Sequence, residues 1–242
     1  MLQIFSKEFS SFLNSLIAYV VVGVFLLAMG LLMWVFPDSS VLDYGYADMS
    51  TLFSLGPYVF IFLIPAVTMR SFSEEKKGGT MELLFTKPLT DVDIIVGKFL
   101  ACLCLVLLAV LPTLVYYYSL YSLGNPRGNI DTPGIIGSYI GLAMLAAAFC
   151  AIGVMASSLS ANQIVAFILA AFLCYISFAA FDALSGLDVW GTRALSVKQL
   201  GLLYHYESMS RGLIDSRDIV YFGSVIFLAL SVTKLILGSR QW

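Results

Sequence analysis

The side chains with catalytic or metal-binding potential are few and widely separated. His205 is the only histidine, and the four cysteines, Cys102, Cys104, Cys150 and Cys174, all lie within apolar stretches. A metal site needs several such ligands close together, and a cysteine nucleophile needs a base beside it. A thiol within an apolar helix usually serves as a small packing side chain. The spacing therefore argues against a metal site, a disulfide and a nucleophilic centre.

ATP hydrolysis has no motif in this chain. A phosphate-binding loop reads Gly-x-x-x-x-Gly-Lys-Ser/Thr, and its backbone N–H groups cradle the nucleotide phosphates. The Gly97-Lys98 pair has neither the upstream glycine nor the following hydroxyl. We predict that the chain is not an enzyme and that it binds no cofactor itself.

The densest charge occurs in residues 70–88, which read Arg-Ser-Phe-Ser-Glu-Glu-Lys-Lys-Gly-Gly-Thr-Met-Glu-Leu-Leu-Phe-Thr-Lys-Pro. The segment either docks a soluble partner or is a solvated loop whose charges only fix the topology. We favour docking, because an exposed helix with an apolar face needs a cover. The candidate docking residues are Arg70, Glu74, Glu75, Lys76, Lys77, Gly78, Gly79, Thr80, Met81, Glu82, Leu84 and Phe85.

A second polar region, residues 182–218, is rich in groups that bind other molecules. It either contacts a partner molecule or forms a gate, or it is a lid that shields helix ends. Aromatic residues that favour the membrane interface explain much of its composition, so both interpretations stay open. The candidate contact residues are Tyr204, His205, Tyr206, Glu207 and Arg211.

The composition requires a membrane as the solvent for most of the chain. Of the 242 residues, 60% are hydrophobic and 12% are charged, whereas a soluble domain carries about 25% charged residues. The net charge of −2 points to no nucleic-acid partner, and we predict none. Apolar stretches near the ~20 residues of a spanning helix occur at about 16–36, 52–69, 99–121, 135–155, 164–181 and 220–237. The sequence predicts an all-α membrane protein in which residues 1–242 form one domain of six transmembrane helices.

Residues 1–15 have an amphipathic pattern, in which Leu2, Phe5, Phe9 and Phe12 recur at helical spacing. This pattern favours a short interfacial helix that forms an elbow before the first span, over a simple extension of that span. Later in the chain, Gly137, Gly141 and Gly153 are expected at sites of close helix packing rather than at substrate contacts. Six spans place both termini on one side, and the excess of Lys and Arg in residues 70–98 makes that side cytoplasmic.

Local signals divide residues 70–98, which we predict to be a cytoplasmic loop. Gly78-Gly79 should end any helix that starts at Arg70, and Thr80–Phe85 can form a second short helix that ends before Pro88. Thr90, followed by Asp91 and Asp93, matches a helix-capping signature. The third spanning helix should therefore start well before its apolar stretch.

Several segments of the chain resemble a known family of transporters. The charged segment 70–88, with Ile-Val-Gly-Lys at 95–98, is similar to the cytoplasmic-loop signature of type-2 ABC exporter permeases. Leu-Ile-Pro-Ala-Val-Thr-Met-Arg at 63–70 and Tyr-His-Tyr-Glu-Ser-Met-Ser-Arg-Gly at 204–212 resemble one branch, the permease subunit of gliding-motility ABC transporters (the GldF type). The similarity extends over essentially the whole chain.

This resemblance implies a multi-pass protein of the cell inner membrane with both termini in the cytoplasm. It implies a separate ABC ATPase that binds ATP and Mg²⁺, a second permease subunit, and Thr80–Phe85 as the helix that docks on the ATPase. A periplasmic partner is also compatible with it. The alternative is a mechanotransmitting or scaffold subunit that relays ATPase motion to periplasmic partners without transport.

Overall fold

The structure, a computed structural model, describes residues 1–42, 47–81, 89–187 and 193–239. In these residues the regular secondary structure is helical, with no strand. The first half holds α1 (Leu2–Leu13), α2 (Leu16–Trp34), α3 (Ser50–Thr68), α4 (Arg70–Lys77), α5 (Asp91–Val110) and α6 (Leu114–Leu123). The second half holds α7 (Thr132–Leu159), α8 (Gln163–Tyr175), α9 (Phe181–Ser185), α10 (Ala194–Lys198), α11 (Leu202–Ser210) and α12 (Ser216–Gly238).

Five helical segments are long and apolar enough to cross a membrane: Ser50–Lys77, Asp91–Leu123, Thr132–Leu159, Gln163–Ser185 and Ser216–Gly238. A sixth is counted if α1 and α2, which meet at 67°, form one bent span. The prediction of an all-α multi-pass membrane protein is therefore confirmed, and the predicted count of six agrees with the upper count.

Helix α7 is the centre of the bundle. It contacts α3, α4, α5, α8, α11 and α12. Within the apolar stretches, 78% of α7 is buried inside the protein, against 22% for the segment that contains α8 and 17% for α12. The small residues of α7 explain this position, because they let neighbouring backbones approach closely.

The predicted close-packing role of three glycines in α7 is confirmed. A Cβ on Gly153 would lie 2.1 Å from Thr68 Oγ1 on α3, and one on Gly137 would lie 2.8 Å from Gly212 Cα. A Cβ on Gly141 would lie 3.1 Å from Met209 Cβ. Gly137 and Gly141 therefore allow close packing of the segment around α11, and Gly153 allows close packing of the spanning helix α3.

Local signals in the sequence place several helix boundaries. Helix α4 ends at Lys77, and Gly79 follows with a φ of 64°. The predicted cap of α5 is confirmed, because the Thr90 hydroxyl accepts from the backbone N–H of Asp93 while the Asp93 carboxylate accepts from that of Thr90. The third apolar stretch is not one regular helix, since a 3₁₀ turn, Leu111–Thr113, separates α5 from α6. Pro112 lies in this turn, where its missing N–H breaks the α-helical bonding pattern.

We call the end of the bundle where α4 lies the α4 end, and the opposite end, where α11 lies, the α11 end. Helix α7 runs between them, with Gly137 near α11 and Ser157 near α4. The two polar regions of the sequence therefore lie at opposite ends of the bundle.

Candidate functional site

The start of α4 is held by a serine of the central helix. Ser157 Oγ on α7 accepts hydrogen bonds from the backbone N–H groups of Phe72 (3.0 Å) and Ser73 (3.2 Å). It also donates a 2.9 Å hydrogen bond to the carbonyl of Met69. The first N–H groups of a helix have no partner within the helix, so a buried side chain that supplies one stabilises the helix start. Ser157 thus fixes α4 on α7.

A buried lysine joins three helices at the α4 end. Lys98 on α5 is only 2% exposed, and its Nζ lies 2.9 Å from Glu75 Oε1 on α4 and 3.0 Å from Glu8 Oε1 on α1. The same Nζ donates a 2.7 Å hydrogen bond to the carbonyl of Ser71. An ammonium group has three N–H donors, so these partners use all of them. A charge this deeply buried is tolerated only when it is paired, and here the pairing links α1, α4 and α5.

Close packing supports the same junction. The Lys98 ammonium lies 5.2 Å from the centre of the Phe72 ring, within the range of a cation–π interaction. On the residue before Lys98, Gly97, a Cβ would lie 3.0 Å from Ile4 Cγ2 of α1. Helix α1 therefore turns Ile4 and Glu8 towards α5, so the predicted amphipathic helix packs on the bundle. Glu8, Glu75, Lys98 and Ser157 are called the α4 junction below.

The exposed part of the charged segment lies beside this junction. Glu74, Lys77, Gly78, Gly79 and Thr80 are all exposed. Residues 77–80 run on from the end of α4 into the turn that follows it, and Glu74 lies about one helical turn earlier. Of the predicted docking residues, these five are open to a partner.

Other predicted docking residues have roles inside the chain. Glu75 pairs with Lys98, and the Lys76 ammonium donates a hydrogen bond to the carbonyl of Ser158 on α7. Met81, expected on an exposed apolar face, is buried in the hydrophobic core. Arg70 is half-buried. The remaining candidates, Glu82, Leu84 and Phe85, lie outside the described residues.

Sequence reasoning missed Glu8, Ser157 and the interior role of Lys98. Lys98 stands four residues after Ile94, which is buried on the same helix, and this spacing was the one available signal that Lys98 faces inward. No local pattern indicated which acidic residues would reach it, since Glu8 is 90 positions away.

At the α11 end, Tyr206 ties a loop helix to a spanning helix. Its hydroxyl donates a 2.6 Å hydrogen bond to the carbonyl of Phe53 on α3. That carbonyl would normally accept from the N–H of residue 57, which is a proline and has none. Burial raises the pKa of Tyr206 above its ordinary value, so the hydroxyl stays protonated and able to donate. Tyr206, predicted as a partner or gate contact, is buried and acts inside the chain.

His205 is held on every side. Its Nδ1 lies 2.7 Å from Asp218 Oδ1 and its Nε2 lies 3.0 Å from the carbonyl of Gln199. Its ring stacks on Tyr221 with the centroids 3.9 Å apart, and Tyr204 meets it edge-on. These contacts lock α11 to α12. Within the described ranges, no group of three or more His, Cys, Asp or Glu side chains is placed to hold a metal ion.

Lys198 links two carboxylates beside the same helix. Its Nζ lies 2.8 Å from Asp182 Oδ1 and 4.0 Å from Glu207 Oε2. The hydrogen bond to Asp182 is the main cause that raises the pKa of Lys198. Arg211 is exposed. Of the other residues predicted at this end, Tyr204, His205 and Glu207 are partly buried.

A cavity of about 680 Å³ opens between α3, α7 and α11. Its lining combines aromatic rings, serine hydroxyls and four carboxylates, including that of Glu207. This volume falls in the range of ordinary small-molecule sites, about 300–1,000 Å³.

Comparison with known proteins places the chain in a family. A family profile described as "ABC-2 family transporter protein" matches residues 2–188, which is more than three quarters of the chain. No curated protein matches the chain. The matched region contains α1, the charged segment and the central helix α7, so it includes the whole α4 junction. The chain is thus a multi-pass membrane protein that belongs to the ABC-2 transporter family.

Proposed function

We propose that this chain is the membrane permease subunit of an ATP-driven exporter, in which a separate ABC ATPase drives the movement of a substrate. Membership of the ABC-2 family supports a permease role. The single observation that carries the coupling mechanism is the position of the exposed α4 surface directly on the buried Lys98 junction. A force applied to that surface would be transmitted to the membrane helices through the contacts of α4 with Lys98.

The route runs through contacts that resist deformation. Glu75 and Ser71 of α4 both bond to Lys98 of α5, and Ser157 fixes the start of α4 on the central helix α7. Packed elements with two discrete arrangements carry energetic coupling between distant sites. A displacement of α4 would therefore move α1, α5 and α7 together rather than bend α4 alone.

The remaining parts of the assembly follow from this role. The ATPase binds ATP and Mg²⁺ and docks on residues 70–88, which places the α4 end and both termini in the cytoplasm. A second permease subunit completes the translocation path in the cell inner membrane, and a periplasmic partner would meet the α11 end. The resemblance to the gliding-motility branch supports a transporter of that kind. The cavity at the α11 end favours transport over a purely mechanical relay, because a relay needs no ligand-sized space.

The proposal is tested by co-purification with the candidate ATPase, followed by measurement of ATP turnover. The variant Lys77→Glu/Phe85→Asp reverses one exposed cation and places a charge on the predicted docking helix. The matched control, Leu213→Asp/Arg217→Glu, makes the same two kinds of change on exposed residues at the α11 end.

We expect the first variant to lose at least tenfold in ATPase binding or in permease-stimulated turnover, while the control behaves like the wild type. Both should unfold at the wild-type temperature. Equal ATPase binding by the wild type and the first variant would refute docking at residues 70–88, and so would equal losses in both variants.

A further inference from the structure

The cavity at the α11 end has an aromatic wall built by three helical elements. Tyr58 of α3 and Phe178 meet edge-to-face with centroids 5.6 Å apart, and Phe178 meets Tyr206 at 6.3 Å. Phe178 and Tyr206 are almost fully buried, so their positions are fixed by the protein core. Phe178 belongs to a π-helical turn, Ile176–Ala180. Such turns are rare and often occur at functional sites.

The charged groups that line the cavity are all acidic. They are Asp48, Asp131, Asp182 and Glu207, and among the residues that the structure describes no lysine or arginine lines it. Lys198 partly neutralises Asp182 and Glu207 from outside the lining. Asp48 and Asp131 accept hydrogen bonds from the backbone N–H groups of Ser50 and Gly134, and no ion pair joins either of them to a cation in the described residues. The cavity therefore keeps a net negative charge.

Aromatic faces and carboxylates together select one class of ligand. The exposed face of an aromatic ring such as Tyr58 attracts a cation electrostatically. Carboxylates at the mouth attract the same charge from solution. An anion would gain neither interaction, and the carboxylates would repel it.

We propose that this cavity binds an organic ammonium group carried on an apolar body. The ammonium lies against the exposed ring of Tyr58, which packs edge-to-face on the buried Phe178, and Asp48 and Asp131 are its counter-charges. The apolar body extends into the rest of the cavity. This inference rests on the proposed function in treating the ligand as the transported substrate class. The ammonium comes either from a soluble amine or from the headgroup of an aminophospholipid.

Binding is measured on the full-length permease alone, purified in dodecyl maltoside, whose headgroup is neutral and has no amine. The probe is dansylcadaverine, a fluorescent primary amine, and the matched probe is dansyl-6-aminohexanoate, which carries a carboxylate on a similar chain. We expect saturable binding of the amine only. No ATPase is present, so this result does not depend on docking at residues 70–88. A failure of ammonium binding is therefore distinguishable from a failure of ATPase docking.

Two sets of variants locate the site. Asp48→Asn/Asp131→Asn keeps both side-chain hydrogen-bond acceptors and removes both charges, and we expect the affinity for dansylcadaverine to fall at least tenfold. The control Asp215→Asn also neutralises an aspartate that caps a helix at this end, but it lies outside the cavity lining, so the affinity should not change. Tyr58→Leu should weaken binding at least threefold, and Tyr58→Phe should restore it, because phenylalanine retains the aromatic face.

Equal binding of both probes would overturn the proposal, as would an unchanged affinity in both the aspartate double variant and Tyr58→Leu. If the double variant does not fold, the affinities of Tyr58→Leu and Tyr58→Phe for dansylcadaverine decide the proposal, and equal affinities would overturn it. The source of the ammonium is then identified in nanodiscs of phosphatidylethanolamine or phosphatidylglycerol. In each lipid, the affinity for dansylcadaverine is compared between the wild type and the double variant. If this difference in affinity is smaller in phosphatidylethanolamine than in phosphatidylglycerol, the lipid headgroup occupies the cavity. If it is the same in both lipids, the ligand is a soluble amine; both results support the ammonium site.

Discussion

Lys98 and Glu75 form a 2.9 Å ion pair between α5 and α4, and the lysine side chain is almost completely buried. Glu8 of α1 approaches the same ammonium to 3.0 Å. Two carboxylates from helices far apart in the sequence thus share one buried cation, and Glu8 also lies 3.8 Å from the exposed Lys7 ammonium. Because a buried charge that loses its partner is much less stable than the pair, these helices should hold or lose their arrangement together.

Replacing the cation should destabilise the junction more than removing the whole cluster. In Lys98→Met, Glu75 loses its cation and Glu8 keeps only the exposed Lys7, whose Nζ lies 3.8 Å away, so we expect the free energy of unfolding to fall by about 3 kcal/mol. In the triple variant Glu8→Gln/Glu75→Gln/Lys98→Met no charge remains, so much of that loss should be recovered. Unfolding by SDS titration in micelles measures both differences. If the triple variant is no more stable than Lys98→Met, the three side chains do not act as one cluster.

The bond between Tyr206 and Phe53 should matter only because of Pro57. Tyr206→Phe leaves the Phe53 carbonyl buried without a donor, and we expect it to cost about 1–3 kcal/mol of stability. In a Pro57→Ala background, the new N–H at residue 57 can serve that carbonyl within the helix, so the same substitution should cost much less. The measurement is a double-mutant cycle on the unfolding free energy. An equal cost in both backgrounds would show that the tyrosine acts through packing alone.

Ser157 should control the order of α4. Ser157→Ala removes the acceptor for the N–H groups of Phe72 and Ser73, so amide hydrogen exchange in the first turn of α4 should become at least tenfold faster. The adjacent Ser158→Ala is the control, because the Ser158 hydroxyl donates to the carbonyl of Met155 in its own helix and bonds to no other group among the described residues. Equal exchange in the two variants would contradict the capping role.

The close approach of α7 and α3 at Gly153 leaves no space for a methyl group. Gly153→Ala would place its Cβ 2.1 Å from Thr68 Oγ1, so the helices must separate, and we expect a loss of about 1–3 kcal/mol. Thr68→Ala in the same chain removes the nearest atom and should recover part of the loss. Gly223→Ala on α12, where no atom lies within 4 Å, should have little effect. Thermal unfolding of the purified variants tests this, and similar melting temperatures for Gly153→Ala and Gly223→Ala would refute it.

The sequence by itself determined the features that depend on short-range physics. Charge-free apolar stretches predict spanning helices, because few charges survive in hydrocarbon, and Gly79 and Thr90 mark helix ends by local backbone and capping preferences. The close packing at Gly153 was also predictable, since a residue without a side chain in a spanning helix admits a neighbour.

Only the tertiary structure decided which polar groups meet. Glu75 reads in the sequence as one more exposed charge, yet it faces Lys98, which also takes Glu8 from 90 positions away. In the sequence, Tyr206 resembles an interfacial aromatic residue, yet its hydroxyl donates a hydrogen bond to the Phe53 carbonyl. That carbonyl has no helical donor because Pro57, 149 positions before Tyr206, has no N–H. The physical reason is the same in both cases: a buried polar group must find a partner, and which partner is near depends on how the helices pack. No local pattern in the chain contains that information.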